Sequence, residues 1–236
     1  MAGCVRLHRD GDRRFRLVVE ALAIRPGDRI AIAGPSGSGK STLLSLISLV
    51  MRPTTATRFM VSDGVGSRDV GRLWTANDDA ALTRLRAGLF GFVPQSGGLL
   101  PFLDVAGNIA LTQRLAGRRD PDRVAALAER LGIVKLLHAR PSALSMGQRQ
   151  RVAIARALAH RPSIIVADEP TAALDMVTAH RAMALLAEET EHAGAALVVA
   201  THDLSLISEH GFSLWNAQSR EGEGETVAAF APAEAI

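Results

Sequence analysis

The sequence predicts an α/β fold: a doubly wound parallel-sheet core, an antiparallel β lobe before it and a helical insertion within it. Three observations carry this. An apolar run, Arg29 to Ala33, leads through the glycine-rich stretch Gly34-Pro35-Ser36-Gly37-Ser38-Gly39-Lys40-Ser41-Thr42 into the helix-forming segment Leu43 to Val50. Two wholly apolar runs, Ile164 to Ala167 and Ala196 to Ala200, bracket a helical stretch from Thr178 to His192, as strands of a sheet covered on both faces do. Upstream of them, residues 96–143 change character and read as mostly helical.

In chain order, Cys4 to His8 and Phe15 to Val19 alternate apolar and polar residues around Arg9-Asp10-Gly11-Asp12, the pattern of a hairpin, and Pro26-Gly27-Asp28 turns toward the core strand. Residues 52–70 carry only short strand and turn signals, with breaks at Arg52-Pro53-Thr54 and Asp63-Gly64. Ala81, Leu82 and Leu85 place a helix over Asp78 to Arg86. Leu89 to Val93 reads as a buried strand ending at Pro94-Gln95, where Gly97-Gly98 opens a loop. Asp120-Pro121 starts a helix whose Val124, Leu127, Ala128 and Leu131 share a face, and Gly132 stops it. The next helix is expected from Gln148 to Ala159, with Val152, Ala155 and Leu158 inward and Arg149, Arg151 and Arg156 pointing elsewhere; His160-Arg161-Pro162 ends it. The tail from Ser213 holds Gly222 and Gly224 among acidic residues, a terminal turn between small strands. The expected organisation is one domain over residues 1–236: a β lobe at 1–28, a core at 29–95 and 144–236, and a helical subdomain at 96–143.

Composition excludes several classes. With 236 residues and 47% hydrophobic content the chain can bury a sizeable core. A net charge of +3, with the basic residues nearly all scattered arginines, gives no nucleic-acid-binding stripe. The single cysteine, Cys4, permits neither an intrachain disulfide nor a cysteine zinc site and reads as a small apolar strand residue. The first residues lack a signal-peptide core and the longest apolar run, Leu43 to Met51, is too short to cross a bilayer, so a soluble intracellular protein is expected.

The chemistry is concentrated at strand ends. The stretch from Gly34 to Thr42 has the form of a P-loop: Gly34, Gly37 and Gly39 allow positive φ, so successive N–H groups can line an anion nest at the positive end of a helix. Lys40 is placed to reach β- and γ-phosphates, Ser41 to ligate Mg²⁺ and Thr42 to contact the α-phosphate. A plain Gly-Ser turn would not require Lys-Ser after the third glycine. Asp168 and Glu169 follow the apolar strand, where open α/β sheets bind ligands. Asp168 is suited to hold Mg²⁺ through water and Glu169 to polarise a water attacking the γ-phosphate. Leu144-Ser145-Met146-Gly147-Gln148 precedes a helix, so Ser145 and free N–H groups can face an anion; the bland alternative is a serine cap.

Together, the P-loop, Gln95 after its strand, LSMGQ followed by Arg-Gln-Arg-Val-Ala-Ile-Ala-Arg-Ala-Leu, the run IIVADEPTAALD, and Thr201-His202-Asp203 resemble the nucleotide-binding subunits of ABC transporters, motif by motif and in order. The resemblance implies a P-loop NTPase, RecA-like core and ATP hydrolysis with Mg²⁺. It implies two copies paired head to tail, each P-loop facing the other's Ser145, Met146, Gly147 and Gln148. It also implies docking on integral membrane permease subunits at the inner face of the cell membrane, with no nucleic-acid partner. By the same resemblance, Gln95 senses Mg²⁺ and the attacking water, Asp175 contacts the opposite protomer, and His202 contacts the γ-phosphate and holds water and Glu169 in line. The stretch Leu85 to Ile109 looks most like lipoprotein-release and macrolide-export ATPase subunits.

Two departures stand out. Met146 replaces the family's usual glycine. The aromatic that usually stacks on adenine has no counterpart, since the chain has no tyrosine; Leu7 and His8 fall near that position and Phe15 is the nearest aromatic. Leu99, Leu100, Phe102 and Leu103 form an apolar loop that either docks on a membrane subunit or packs inward. Rival functions are a P-loop ATPase of another family, which leaves LSMGQ unexplained, and an ABC-type module that scaffolds or regulates a membrane complex in cell division or the envelope.

Overall fold

The computed structural model describes every residue except 11, 12, 63, 65, 96, 173, 223, 224 and 233–236. In chain order the elements are β1 (Ala2–Asp10), β2 (Arg13–Ala21), β3 (Arg29–Ala33), α1 (Lys40–Ile47), β4 (Met60–Ser62), β5 (Ser67–Asp69), α2 (Val70–Thr75), α3 (Asp79–Leu89) and β6 (Phe90–Val93). The second half continues with α4 (Val105–Leu115), α5 (Pro121–Arg130), α6 (Met146–Leu158), β7 (Ile164–Asp168), α7 (Met176–His192), β8 (Ala196–Thr201), α8 (Ser205–Ser208), β9 (Ser213–Gly222) and β10 (Glu225–Pro232). The apolar strand before the glycine-rich loop, β3, lies inside an eight-stranded sheet of order β1-β2-β10-β9-β3-β8-β7-β6. β6, β7, β8, β3 and β9 run parallel, and helices separate them in the chain.

The apolar strands are covered on both faces, which is why they read as unbroken hydrophobic runs. Alternate residues feed two cores: Leu197 and Val199 of β8 join Ile165, Ile154, Leu127 and Leu186 on the side of α4 to α7. Val198 and Ala200 join Val166, Leu43, Leu46, Phe59 and Trp74 on the side of α1 to α3. Gly91 shows how closely β6 meets α6: a Cβ there would stand 2.2 Å from the Ala157 carbonyl oxygen.

Several expectations need correction. Residues 1–28 form the expected antiparallel β1–β2 pair, but it does not stand apart from the tail: β10 pairs in parallel with β2 and antiparallel with β9, joining both ends of the chain in one continuous sheet. A lone two-stranded hairpin is marginal in water, and the added strands remove that weakness. Nor are the tail strands small, at 10 and 8 residues. The tips at Gly11-Asp12 and Gly224, the break at Asp63 and the position Ala173 lie outside the described residues. Helix α6 starts at Met146 rather than Gln148, because Ser145 and Gln148 form a reciprocal capping box. Asp175 likewise caps α7 two residues earlier than expected. Arg156 does not point away from the core; it is 9% exposed and buried. The helix after the glycine-rich loop stops at Ile47, and Leu49 takes a positive φ of 60°.

The end of α6 supplies a pH dependence. His160 is 2% exposed, with Nε2 placed 3.0 Å from the Phe90 carbonyl oxygen and Nδ1 buried without a partner. Burial lowers its pKa from 6.5 to about 4, so it is neutral when folded. The folded value lies below the unfolded one, so its contribution is full above the unfolded pKa and is lost as pH falls through the folded one. Between 6.5 and 4 this removes up to about 3 kcal/mol of stability. Urea unfolding across that range should show a shallower acid loss for His160→Gln than for the parent; superimposable profiles contradict the assignment.

Candidate active site

The chain leaves β3 into a loop whose backbone shape only glycine supports. Gly39, the residue capping α1, has φ 91°, and a Cβ there would stand 2.7 Å from Cζ of Phe15. The phenyl ring of β2 therefore lies against the phosphate loop. At Gly34 a Cβ would meet the Ser38 hydroxyl at 2.7 Å, and that hydroxyl is buried without a hydrogen-bond partner. Lys40 is 6% exposed; its Nζ donates to the carbonyl oxygens of Gly34 at 2.8 Å and Pro35 at 3.0 Å. An ammonium over a ring of backbone groups, beside a helix N-terminus and a buried unpaired hydroxyl, fits a phosphate chain. Pro35, Ser36, Gly37 and Ser41 line the exposed side and Thr42 is half-buried.

Asp168 ends β7 and is half-buried there. The next residue, Glu169, takes φ 42°, a left-handed conformation that L side chains rarely adopt, while its N–H continues the sheet by donating to Ala200 O at 2.9 Å. That twist aims its carboxylate at three groups from three other elements. Lys40 Nζ is 3.8 Å from Oε1, His202 Nδ1 is 3.5 Å from the same oxygen, and Gln95 Nε2 donates to Oε2 at 3.5 Å. Gln95 follows β6 and His202 follows β8, so the ends of adjacent strands gather the cluster. A carboxylate so held can accept a proton from a water, with the amide and imidazole orienting both. Among the described residues no group of three or more His, Cys, Asp or Glu side chains could hold a metal unaided. A Mg²⁺ bound by Ser41 and Asp168 would lean on the phosphates of the nucleotide, which suits that ion's preference for few protein ligands.

The LSMGQ stretch makes none of the hydrogen bonds or ion pairs given above for Glu169. Ser145 Oγ accepts from Gln148 N at 3.3 Å and Gln148 Oε1 accepts from Ser145 N at 2.9 Å, so the serine cap is present. The N–H groups of Met146 and Gly147, in the first turn, have no intrahelical acceptor. Met146 is 47% exposed and shares a narrow cleft with Gln95, Arg149, Pro170 and Leu174. Asp175 is exposed; hydrogen bonds from the hydroxyl and N–H of Thr178 hold its carboxyl below the usual range. His8 lies opposite Phe15 in the β1–β2 register and is exposed.

Two contributors had no clear sequence signal. Asn108 is fully buried in α4 and its side chain accepts from Leu100 N and donates to the carbonyls of Leu100, Leu103 and Asp104. It organises the loop from which Phe102, 70% exposed, projects, while Leu99 packs on the core. The second is Arg156, whose charge masked its burial. Helical periodicity alone could have placed Asn108 inward, since Val105 and Ile109 flank it on the same face.

The sequence matches the ABC transporter family over residues 20–172. The lipoprotein-releasing system ATP-binding protein LolD of Anaeromyxobacter dehalogenans is 42% identical over 186 residues, covering 77% of this chain and 74% of LolD. The macrolide export ATP-binding/permease protein MacB 2 of Aeromonas hydrophila is 36% identical over 235 residues, covering 97% of this chain; the chain spans 35% of that protein's length. Among solved structures, the dimeric post-hydrolysis state of the ATP-binding cassette MJ0796 bound to ADP and Pi superposes with a TM-score of 0.79 at 32% identity, covering 100% of this chain and 98% of that one. No helix among the described residues is long and apolar enough to cross a membrane.

Lys40→Ala tests the phosphate loop. It removes a charge-assisted contact, so calorimetry should show ATP affinity falling on the order of tenfold to hundredfold. Unchanged affinity contradicts the site.

Proposed function

Because the chain belongs to the ABC transporter family, as one of its ATP-hydrolysing cassettes of the lipoprotein-release and macrolide-export type, we propose that two copies pair head to tail around two ATP to drive transport through membrane-spanning subunits. The single observation that carries the chemistry is the Glu169 carboxylate held among Lys40, Gln95 and His202. In this reading Gly34 to Thr42 cradle the phosphates through backbone N–H groups, with Lys40 turning from the Gly34 and Pro35 carbonyls toward the β- and γ-oxygens. When bound, Mg²⁺ would be held by Ser41 and Asp168 with Gln95 beside it, and would supply charge neutralisation at those oxygens. Glu169 accepts the proton of the attacking water as the bond from water oxygen to γ-phosphorus forms and the bond to the bridging oxygen breaks, leaving ADP and inorganic phosphate. His202 holds the water and Glu169 in line.

The partner copy completes each site. Met146 and Gly147 offer their free N–H groups and Ser145 its hydroxyl to the nucleotide bound by the other chain, Gln148 holds that start in shape through the capping box, and Asp175 meets the other chain beside them. A methionine at that helix start keeps the backbone donor and adds a pliable apolar contact at the closing face. For the base, Phe15 is the better placed of the two candidates, since its ring already lies on the phosphate loop at Gly39, whereas His8 is its exposed cross-strand neighbour. Phe102 is the residue we assign to the membrane subunit: it stands out from a loop whose backbone Asn108 fixes, with Arg140 also donating to the Phe102 carbonyl.

Two experiments follow. Glu169→Gln should keep ATP binding, abolish turnover and accumulate an ATP-bound dimer in size exclusion; turnover near the parent rate removes Glu169 as the base. Phe102→Asp should leave ATPase activity of the isolated chain intact while abolishing copurification with a membrane protein from solubilised membranes. Retained copurification places the docking surface elsewhere.

A further inference from the structure

Arg156 is among the few charged groups this protein buries, and it has no carboxylate partner among the described residues. Its guanidinium instead meets two successive main-chain carbonyls: Nη1 donates to Gly98 O at 2.6 Å and Nη2 to Gly97 O at 2.8 Å. Burying a cation against neutral dipoles alone is expensive, so the position gains from what the side chain fixes. A planar fork holding two carbonyls sets the orientation of two peptide planes, which a single ammonium cannot do.

Those peptides lie two and three residues beyond Gln95. The N–H of Gly97 donates back to Pro94 O at 3.0 Å, closing a turn that has Gln95 as its second residue. Gly97 and Gly98 have φ of 72° and 53°, and at Gly98 a Cβ would stand 2.7 Å from Cγ of Pro94. The turn is thus folded tightly over Pro94 and pinned from below by Arg156, while its exposed Gln95 reaches Glu169. The same arginine's carbonyl accepts from Thr112 Oγ1 of α4 at 2.7 Å, one turn beyond Asn108, which organises the Phe102 loop.

Resting on the roles assigned above to Gln95 and Ser145, we propose that Arg156 is a positioning residue that synchronises the two halves of the composite site. Its fork holds the Pro94–Gly98 turn so that Gln95 meets Glu169 of its own chain. The opposite end of the same rigid helix, roughly 16 Å away at 1.5 Å per residue, carries Ser145 toward the partner's nucleotide. A tilt of α6 that engages or withdraws Ser145 therefore moves Gln95 with it, and one helix reports partner engagement to the chain's own hydrolytic water.

The test is steady-state ATP turnover by Arg156→Lys, Gln95→Ala and the double variant, with thermal midpoints measured alongside. Arg156→Lys retains the charge and loses the fork. The expected result is a drop in kcat of about tenfold with KM and thermal midpoint close to the parent. The double variant should turn over no more slowly than Gln95→Ala, because an arginine acting through Gln95 has nothing to position once the amide is gone. Should Arg156→Lys fail to fold, Gly98→Ala, which displaces the turn over Pro94 while keeping Arg156 itself, is read in the same way: slow kcat, unchanged KM and no further loss when combined with Gln95→Ala. Full turnover, or losses that multiply in the double variant, overturn the proposal while leaving the role of Gln95 standing. Full turnover in Gln95→Ala overturns the assignment of Gln95 itself and the synchronising role with it.

Discussion

The left-handed turn at Glu169 is the constraint on which the site depends. A residue continuing β7 in extended geometry would throw its side chain to one face of the sheet; at φ 42° the carboxylate instead lies across the strand ends, within 3.8 Å of Lys40 and 3.5 Å of His202 and Gln95. Such backbone conformations cost of order 1–3 kcal/mol and persist only when surroundings over-determine them. Here the surroundings are the N–H bond to Ala200, which holds the residue on β8, and the buried Pro170 and Thr171 that follow. The parallel sheet sets the spacing of the four contributors, because β3, β8, β7 and β6 are successive neighbours: His202, Glu169 and Gln95 come within two residues of the ends of β8, β7 and β6, and Lys40 opens the helix after β3.

The two faces of the sheet back the site with different elements. Leu43, Leu44, Leu46 and Ile47 anchor α1 against one face of the sheet, so the phosphate loop is backed by packed side chains. On the other face, α6 bridges the core and the inserted helices: it packs on Gly91 of β6, receives Thr112 of α4 and ends at His160 beneath Phe90. The insertion is tied to the core elsewhere by ion pairs, including Arg130 with the buried Glu189 at 2.6 Å. Among these links α6 carries both the exposed Ser145 and the buried Arg156.

Much of this was legible in the sequence where local chemistry and fold agree. The glycines and Lys40, the apolar strands with Asp168 and Glu169 at their end, and the Ser145–Gln148 spacing each state a backbone requirement directly. What was hidden lies where side-chain identity misleads about burial. Arg156 reads as a surface residue because arginine usually is one, and only tertiary carbonyls compensate its charge. Strands β9 and β10 carry Ser, Arg, Glu and Gly, so the tail reads as small strands about a turn; their length comes from pairing with each other and with the edges that β2 and β3 offer. Phe15 declares itself a strand residue, but its contact with Gly39 arises from the register of three strands, which periodicity does not encode. Capping chemistry also shifted α6 and α7 two residues earlier than hydrophobic spacing placed them.

In the proposed assembly each hydrolytic site is built from two chains, with Ser145 of one facing the P-loop of the other. This arrangement is tested most directly in a mixed dimer of one Ser145→Arg chain and one Lys40→Ala chain, assayed for ATP turnover beside each pure variant. Sharing puts both lesions into one composite site and leaves the other intact, so the mixture should recover partial activity although neither pure variant has any. A mixture as inactive as its components, or a fully active Ser145→Arg homodimer, contradicts it.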